Sequence, residues 1–274
     1  MEEKYHIEQN TVQETLVIPL YGKKRCSEAY PQFFYDEPAI RLVDRVDYDF
    51  SQMTDNMISR FGMVEVGMRT LDLVWEIKDY LKGHPRAAVV NLGCGLDDLY
   101  ERVDNGQMRM VCVDFPDVIE IRRALLAPHE REEYLAADLN EHSWMEKLHY
   151  DPQEGAVFVA SGVFYYFKVE EMQALLQAMK KAFPSARLAF DTGNKKALKL
   201  MLKTYIQGSN MQLDAFFCVN NLDEVRALVP GAAVSAKGYM TGYTPLDKSM
   251  PGLFRFMGKF GDKVYALRIV RVEF

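Results

Sequence analysis

Apolar residues between Asp55 and Leu81 recur at helical spacing. Met57, Ile58, Phe61, Val64, Met68, Leu71, Val74, Trp75 and Leu81 fall largely on one stripe, together with Lys78. The pattern predicts a long amphipathic helix, capped by Thr54 or Asp55 and stopped by Gly83-His84-Pro85. Beyond Pro85 the chain changes to short apolar runs at 87–92, 108–113, 134–137, 156–160 and 187–190. Stretches of helical character separate them, at 96–103, 116–126, 143–148 and 169–183. Strands apolar on both faces that alternate with helices predict an α/β fold whose parallel sheet is covered on both sides. Pro116 suits a first helical turn, and Pro184 closes a later helix. Residues 194–230 read as helical and as part of a lid, and 263–274 alternate as a long strand entered through Gly261-Asp262. The expected organisation is one structural domain: a helical N-terminal cap over 1–84, packed on a core over 85–274 that carries a helical lid insertion near 194–230.

Composition narrows the function classes. With 49% hydrophobic and 26% charged residues the chain reads as globular rather than disordered. A net charge of -6 without a basic block argues against nucleic acid as a partner. No stretch approaches the roughly 18 uninterrupted apolar residues of a membrane span. Met1-Glu2-Glu3-Lys4 does not open a secretory signal. Cys26, Cys94, Cys112 and Cys218 lack metal-ligand spacing, so neither a zinc site nor a disulfide framework is implied, and a cytoplasmic, reducing location is expected.

The chemistry gathers at strand ends. The first run ends in Asn91-Leu92-Gly93-Cys94-Gly95-Leu96-Asp97, and Gly-x-Gly after a strand lets backbone N–H groups approach a ligand closely. The next run ends in Asp114, 114 − 93 = 21 residues after the first glycine, where an acid grips a ribose hydroxyl pair. The third ends in Asp138. Asp98 replaces the third glycine of a dinucleotide fingerprint, and Asp97 with Asp98 would oppose a pyrophosphate. A sulfonium cofactor without phosphate is compatible with those acids. They also suit plain helix N-terminal stabilisation, and an NAD-dependent oxidoreductase remains an alternative.

Four motifs in series resemble the leucine carboxyl methyltransferase family. They are Val90-Asn91-Leu92-Gly93-Cys94-Gly95-Leu96-Asp97, Val113-Asp114-Phe115-Pro116-Asp117-Val118-Ile119, Ala136-Ala137-Asp138-Leu139 followed by Trp144, and Ser161-Gly162-Val163-Phe164-Tyr165-Tyr166-Phe167. Ile18-Pro19-Leu20-Tyr21-Gly22 adds a similarity to tetracenomycin-type polyketide carboxyl O-methyltransferases within that family. The resemblance covers roughly residues 15–270. It implies a Rossmann-like class I methyltransferase sheet, mostly parallel with an antiparallel C-terminal strand. The implied cofactor is S-adenosyl-L-methionine (SAM), and the implied reaction is O-methylation of a small-molecule acceptor.

Matched residue by residue, the resemblance assigns Arg69 to the methionine carboxylate, which a planar guanidinium fork suits. Gly93, Cys94 and Gly95 face the methionyl part, Asp114 the ribose, and Asp138 with Leu139 the adenine. Phe115 either packs on the adenine face or belongs to the core. Ser161 departs from the pattern, because relatives carry a glutamate there, near the amino end of the methionine. A serine hydroxyl offers only the weaker neutral hydrogen bond, which keeps a SAM-binding protein without catalysis among the alternatives. Lys23-Lys24-Arg25 reads as a solvated basic turn, or else lends one residue to the pocket.

A carboxylate acceptor, with a reference pKa of about 4, needs no general base, whereas a hydroxyl acceptor usually does. None of His6, His84, His129, His142 and His149 falls in a strand-end motif, which favours a carboxylate; an aromatic hydroxyl is the second reading. Tyr165 and Tyr166 are the expected substrate-side residues, and Arg255 is a candidate partner for an acidic acceptor. No feature points to a protein C-terminus as acceptor.

Overall fold

The computed structural model describes residues 4–7, 14–52, 55–205 and 216–274. In chain order, β1 (Tyr5–His6), α1 (Glu14–Ala29), α2 (Glu37–Arg45) and β2 (Val46–Asp47) precede the long helix α3 (Met57–Leu81). There follow β3 (Ala88–Leu92), α4 (Tyr100–Val103), β4 (Arg109–Asp114), α5 (Pro116–Leu125), β5 (Glu132–Ala136), β6 (Ala156–Ala160), α6 (Val169–Ala182) and β7 (Arg187–Thr192). The chain ends with α7 (Lys195–Tyr205), α8 (Leu222–Leu228), β8 (Ala233–Gly238), α9 (Gly252–Phe260) and β9 (Arg268–Glu273).

The sheet runs β5-β4-β3-β6-β7-β9-β8. The first five strands in that order are parallel, and β9 inserts antiparallel between β7 and β8. β3 and β6 are buried along their whole length, as two-sided cover requires. Their side chains alternate between two core layers. Val89, Val157 and Val159 face α3, whereas Val90, Phe158 and Ala160 join Met172, Leu176 and Trp144 on the α6 side.

Several expectations change. α3 starts at Asn56, whose side chain accepts from the amides of Ile58 and Ser59 at 2.9 and 3.0 Å. Asp55 is instead engaged by Arg60, and Thr54 lies outside the described residues. Only residues 100–103 of the expected 96–103 helix are helical, because the loop after Gly93 takes up the rest. Residues 143–147 form a 3₁₀ turn. The last strand begins at Arg268, after a π-helical turn over Gly261–Tyr265. β8 is an edge strand the pattern did not announce: Val234 is its one buried residue, so no apolar run marks it. The 194–230 stretch contains α7 and α8, and its 206–215 portion lies outside the described residues.

The buried face of α3 differs most from expectation. Met57, Ile58 and Trp75 are exposed, while Asp72 and Glu76 are buried. Glu65, Arg69, Asp72, Glu76 and Asp79 follow one another at spacings of three or four residues, which puts them on one side of the helix. That side is held to the sheet by charge. Glu76 Oε2 accepts from Arg271 Nε at 2.7 Å, Tyr243 donates to Glu76 Oε1 at 2.5 Å, and Arg187 reaches Asp79 at 3.0 Å and Glu273 at 2.8 Å. Buried acids with cationic partners are invisible to a hydrophobic period.

Asp72 has no such partner among the described residues. It is fully buried, and neither carboxylate oxygen accepts a hydrogen bond from any of them. Burial pushes its pKa up to about 9, with Asp262 and Glu76 adding to the rise and Lys237 opposing it. A pKa raised in the folded state means that stability is highest below the unfolded value, about 3.9, and is lost as pH climbs toward 9. Asp72→Asn therefore raises the melting temperature by several degrees at pH 8, at about 2–4 °C per kcal/mol for a chain of this size. The gain shrinks toward acidic pH. Melting curves between about pH 5 and pH 8 check this, and a gain independent of pH contradicts it.

Candidate active site

The C-terminal ends of β3, β4, β6 and β7 meet on one edge of the sheet. The loop after β3 turns at Gly93 and Gly95, with φ of 62° and 49°, the left-handed region that favours glycine. Gly93 N and Cys94 N donate to Val113 O at 2.8 and 3.2 Å, and Gly95 N donates to Asp114 Oδ2 at 2.7 Å. Asp114 Oδ1 accepts from Phe115 N at 2.8 Å, and its backbone carbonyl accepts from Ala137 N at 2.8 Å. The glycine loop, Asp114 and the segment leading into Asp138 are thus joined bond to bond. Burial raises the Asp114 pKa, while the amides of Gly95 and Phe115 pull it down.

The other expected cofactor residues take distinct places. Asp138 caps the next turn by accepting from Asn140 N at 2.9 Å. Leu139 is buried, and its carbonyl accepts from Trp144 Nε1 at 3.3 Å. The Cys94 side chain lies in the core, so its backbone alone faces the loop. Phe115 is 46% exposed, which removes it from the core. Ser161 is partly exposed at the end of β6.

Arg69 approaches the same edge from α3. Its Nη1 lies 3.0 Å from Asp191 Oδ2, and Asp191 Oδ1 accepts from Gly162 N at 2.6 Å. Asp191 therefore ties α3, the end of β7 and the Ser161-Gly162 loop together. The buried Arg69 Nε has no hydrogen-bond partner among the described residues. Tyr165 is buried beside Asp191 and Arg69, and burial, with Asp191 adding, keeps its phenol well above its ordinary pKa. Tyr166 is 46% exposed. Arg255 is exposed on α9, where its neighbour Phe254 packs on Tyr30 and Phe61; among the described residues no hydrogen bond or ion pair joins Arg255 to Arg69 or Tyr165.

Two structural contributors, Asp191 and Arg122, were not identified from the sequence, and a third, Lys23, was left between two readings. Asp191 ends β7 as Asp114 ends β4, and extending the acid-at-strand-end pattern one strand further would have found it. Lys23 is buried within α1 and pairs with Asp97 and, at 3.8 Å, Asp36, so the basic run is neither a turn nor solvated at that residue. Arg122 is fully buried beneath the glycine loop and donates to the carbonyls of Gly95 and Asp97 at 3.1 and 2.8 Å. It also meets Glu132 at 3.2 Å and stacks on the Tyr134 ring at 4.7 Å. Nothing in sequence distinguishes it from a surface helix arginine.

Strand order and the loop geometry define the fold of class I SAM-dependent methyltransferases. The chain superposes on a candidate methyltransferase from Thermobifida fusca YX with a TM-score of 0.59, covering 97% of this chain and 98% of that one at 13% identity. A DUF574 family protein from Streptomyces avermitilis gives 0.57, with 92% and 96% covered at 12% identity. At such identities the likeness speaks to the fold alone. Residues 24–180, more than half of the chain, match the model of the leucine carboxyl methyltransferase family, and the chain belongs to that family. It is 28% identical over 181 residues to the tetracenomycin polyketide synthesis O-methyltransferase TcmP of Streptomyces glaucescens, a match covering 66% of this chain and 65% of that protein. The matched segment thus spans somewhat less than two thirds of that relative.

Removing the brace under the glycine loop tests its role. Arg122→Met leaves the buried Glu132 without its cationic partner and costs about 3–5 kcal/mol, read as a drop in melting temperature. Adding Glu132→Gln restores part of that loss, because the uncompensated charge is gone. A single variant that melts like the parent protein would mean that Arg122 carries no such weight.

Proposed function

We propose that this protein is a SAM-dependent O-methyltransferase acting on a small-molecule carboxylate, possessing one cofactor site at the C-terminal edge of the sheet. The observation that carries the reading is the bonded series Gly95–Asp114–Ala137, with Arg69 Nε left unpartnered across the edge. The residues fit the group. Arg69 retains donors for a methionine carboxylate, Gly93, Cys94 and Gly95 offer backbone close to the methionyl part, and Ser161 offers a hydroxyl. Asp114 spends one lone pair per oxygen on amides and keeps acceptor capacity for a ribose hydroxyl pair. Asp138 with Leu139 would meet the adenine edge, and exposed Phe115 its face.

When bound, SAM supplies a sulfonium methyl for in-line displacement, so alignment and exclusion of water are the levers left to the protein. The surroundings of Tyr165 suit an acceptor that needs no base. The phenol is held protonated by burial and directs its one O–H at Asp191, so it leaves only its oxygen lone pairs toward the substrate side and is not a general base. Tyr166 lies beside it on the open side. The O-methylation reading is supported by the similarity to TcmP, a polyketide synthesis O-methyltransferase. The N-terminal segment over 1–84 acts as a cap, with Leu16 standing over Gly95, and the helices near 194–230 act as a lid. Nucleic acid does not fit a net charge of -6, and no helix among the described residues is long and apolar enough to cross a membrane. A cytoplasmic location is part of the same proposal.

Isothermal titration with SAM, S-adenosylhomocysteine and NAD tests the cofactor class: binding of the first two is expected, and tight binding of NAD alone rejects the reading. Asp114→Ala weakens SAM binding by about tenfold or more, ~1.4 kcal/mol. Unchanged affinity would place the nucleoside elsewhere. The acceptor class is read from the product, since a methyl ester is released by mild base and an aryl methyl ether is not.

A further inference from the structure

We infer that Glu65 and Arg69 form an open clamp for a zwitterionic amino-acid head group, Glu65 taking the ammonium and Arg69 the carboxylate. The inference rests on the cofactor reading above and adds a residue to it, since the head group in question is the methionyl end of SAM. Glu65 precedes Arg69 by four positions on α3, acid before base, an order in which the two side chains usually close on each other. Here they do not. Arg69 Nη1 turns to Asp191 at 3.0 Å, its Nε is buried without a partner, and Glu65 makes no hydrogen bond or ion pair with a described residue. Two opposite charges on one helix face, not closed on each other, complement a ligand that carries both charges on one carbon. The acid is needed on the helix because the strand end offers only the neutral Ser161.

Other groups around Glu65 define its titration. Arg69 stands on its own helix, Tyr165 follows β6, Tyr239 follows β8, and Asp262 lies in the turn before β9. Both tyrosines are held protonated, chiefly by burial. Burial pushes the Glu65 carboxyl up to about 7, Arg69 works against the rise and Asp262 adds to it. Above that pH the carboxylate is formed and the clamp is complete; below it the acid is neutral, and an arriving ammonium must displace its proton. Head-group binding is therefore weaker, and releases protons, on the acidic side.

Calorimetric titration of S-adenosylhomocysteine and of 5′-methylthioadenosine, which keeps the nucleoside but lacks the amino-acid head, isolates this contribution. Glu65→Gln lowers S-adenosylhomocysteine affinity by about tenfold and leaves 5′-methylthioadenosine affinity unchanged. Wild-type affinity for S-adenosylhomocysteine falls between about pH 8 and pH 6, and the fall disappears in Glu65→Gln. Glu65→Asp, with the charge retained, recovers part of the loss. Equal S-adenosylhomocysteine affinity in wild type and Glu65→Gln, with matching melting curves, overturns the clamp. Parallel loss of both ligands in Glu65→Gln also overturns it, since that reports a damaged pocket. If wild type binds neither ligand, the cofactor reading fails first and takes the clamp with it.

Discussion

Two residues with left-handed backbone set the geometry of the whole C-terminal edge. An L-residue with a side chain pays roughly 1–2 kcal/mol to adopt that conformation, so glycine is required where β3 gives way to its loop. At Gly93 the demand is double, because a Cβ would fall 2.4 Å from Val163 Cγ2. The loop after β3 and the loop after β6 can lie against each other only because that atom is missing. Their contact carries the order outward: Val163 adjoins Gly162, whose amide donates to Asp191, which in turn holds Arg69. On the other side Arg122 grips the carbonyls of Gly95 and Asp97.

The charged face of α3 sets the register of the long helix against the sheet. Glu76 and Asp79 meet Arg187 from β7 and Arg271 from β9. Taking these groups out of water is costly, and their mutual attraction compensates for it only with good geometry. Such a network contributes little net stability, yet any sliding of α3 by one turn would strand several charges at once. Arg69 lies two turns up the same face from Glu76. Its distance from the glycine loop is therefore fixed by ion pairs two turns away, which is why a long helix outside the sheet can place an arginine at this edge at a reproducible position.

Much of this was legible in the sequence, and the failures share a cause. Strands β3, β6 and β7 are apolar on both faces, so their runs announce them; β8, an edge strand with only Val234 buried, leaves no such mark. Gly93, Gly95, Asp114 and Asp138 were readable because strand ends pin their spacing. Asp191 escaped because no glycine motif pins its spacing as Gly93 does for Asp114. Arg122 and Lys23 were hidden more deeply. A buried cation is recognised by its partners, Glu132 for one and Asp97 for the other, and those stand 10 and 74 positions away in sequence. The α3 stripe was only partly right for the same reason: Phe61, Val64, Met68, Val74 and Leu81 are buried as expected, but Asp72 and Glu76 are buried as well, and Met57, Ile58 and Trp75 are exposed.

In the folded chain a dinucleotide is disfavoured less by charge than by backbone geometry. From sequence, Asp97 and Asp98 looked like two free negative charges beside a phosphate position. In the structure Asp97 is paired with the buried Lys23, so one of the two charges is already compensated and the repulsion is weaker than their number suggests. The stronger objection is backbone geometry. A pyrophosphate needs the aligned N–H groups of a helix that begins directly at the glycines. Here α4 begins only at Tyr100 and lasts a single turn, while Gly95 N is already committed to Asp114 and Leu16 of α1 stands over that glycine. The edge therefore presents acids at its strand ends and an arginine from α3, but among the described residues no helix terminus directly after the glycines that would suit a phosphate.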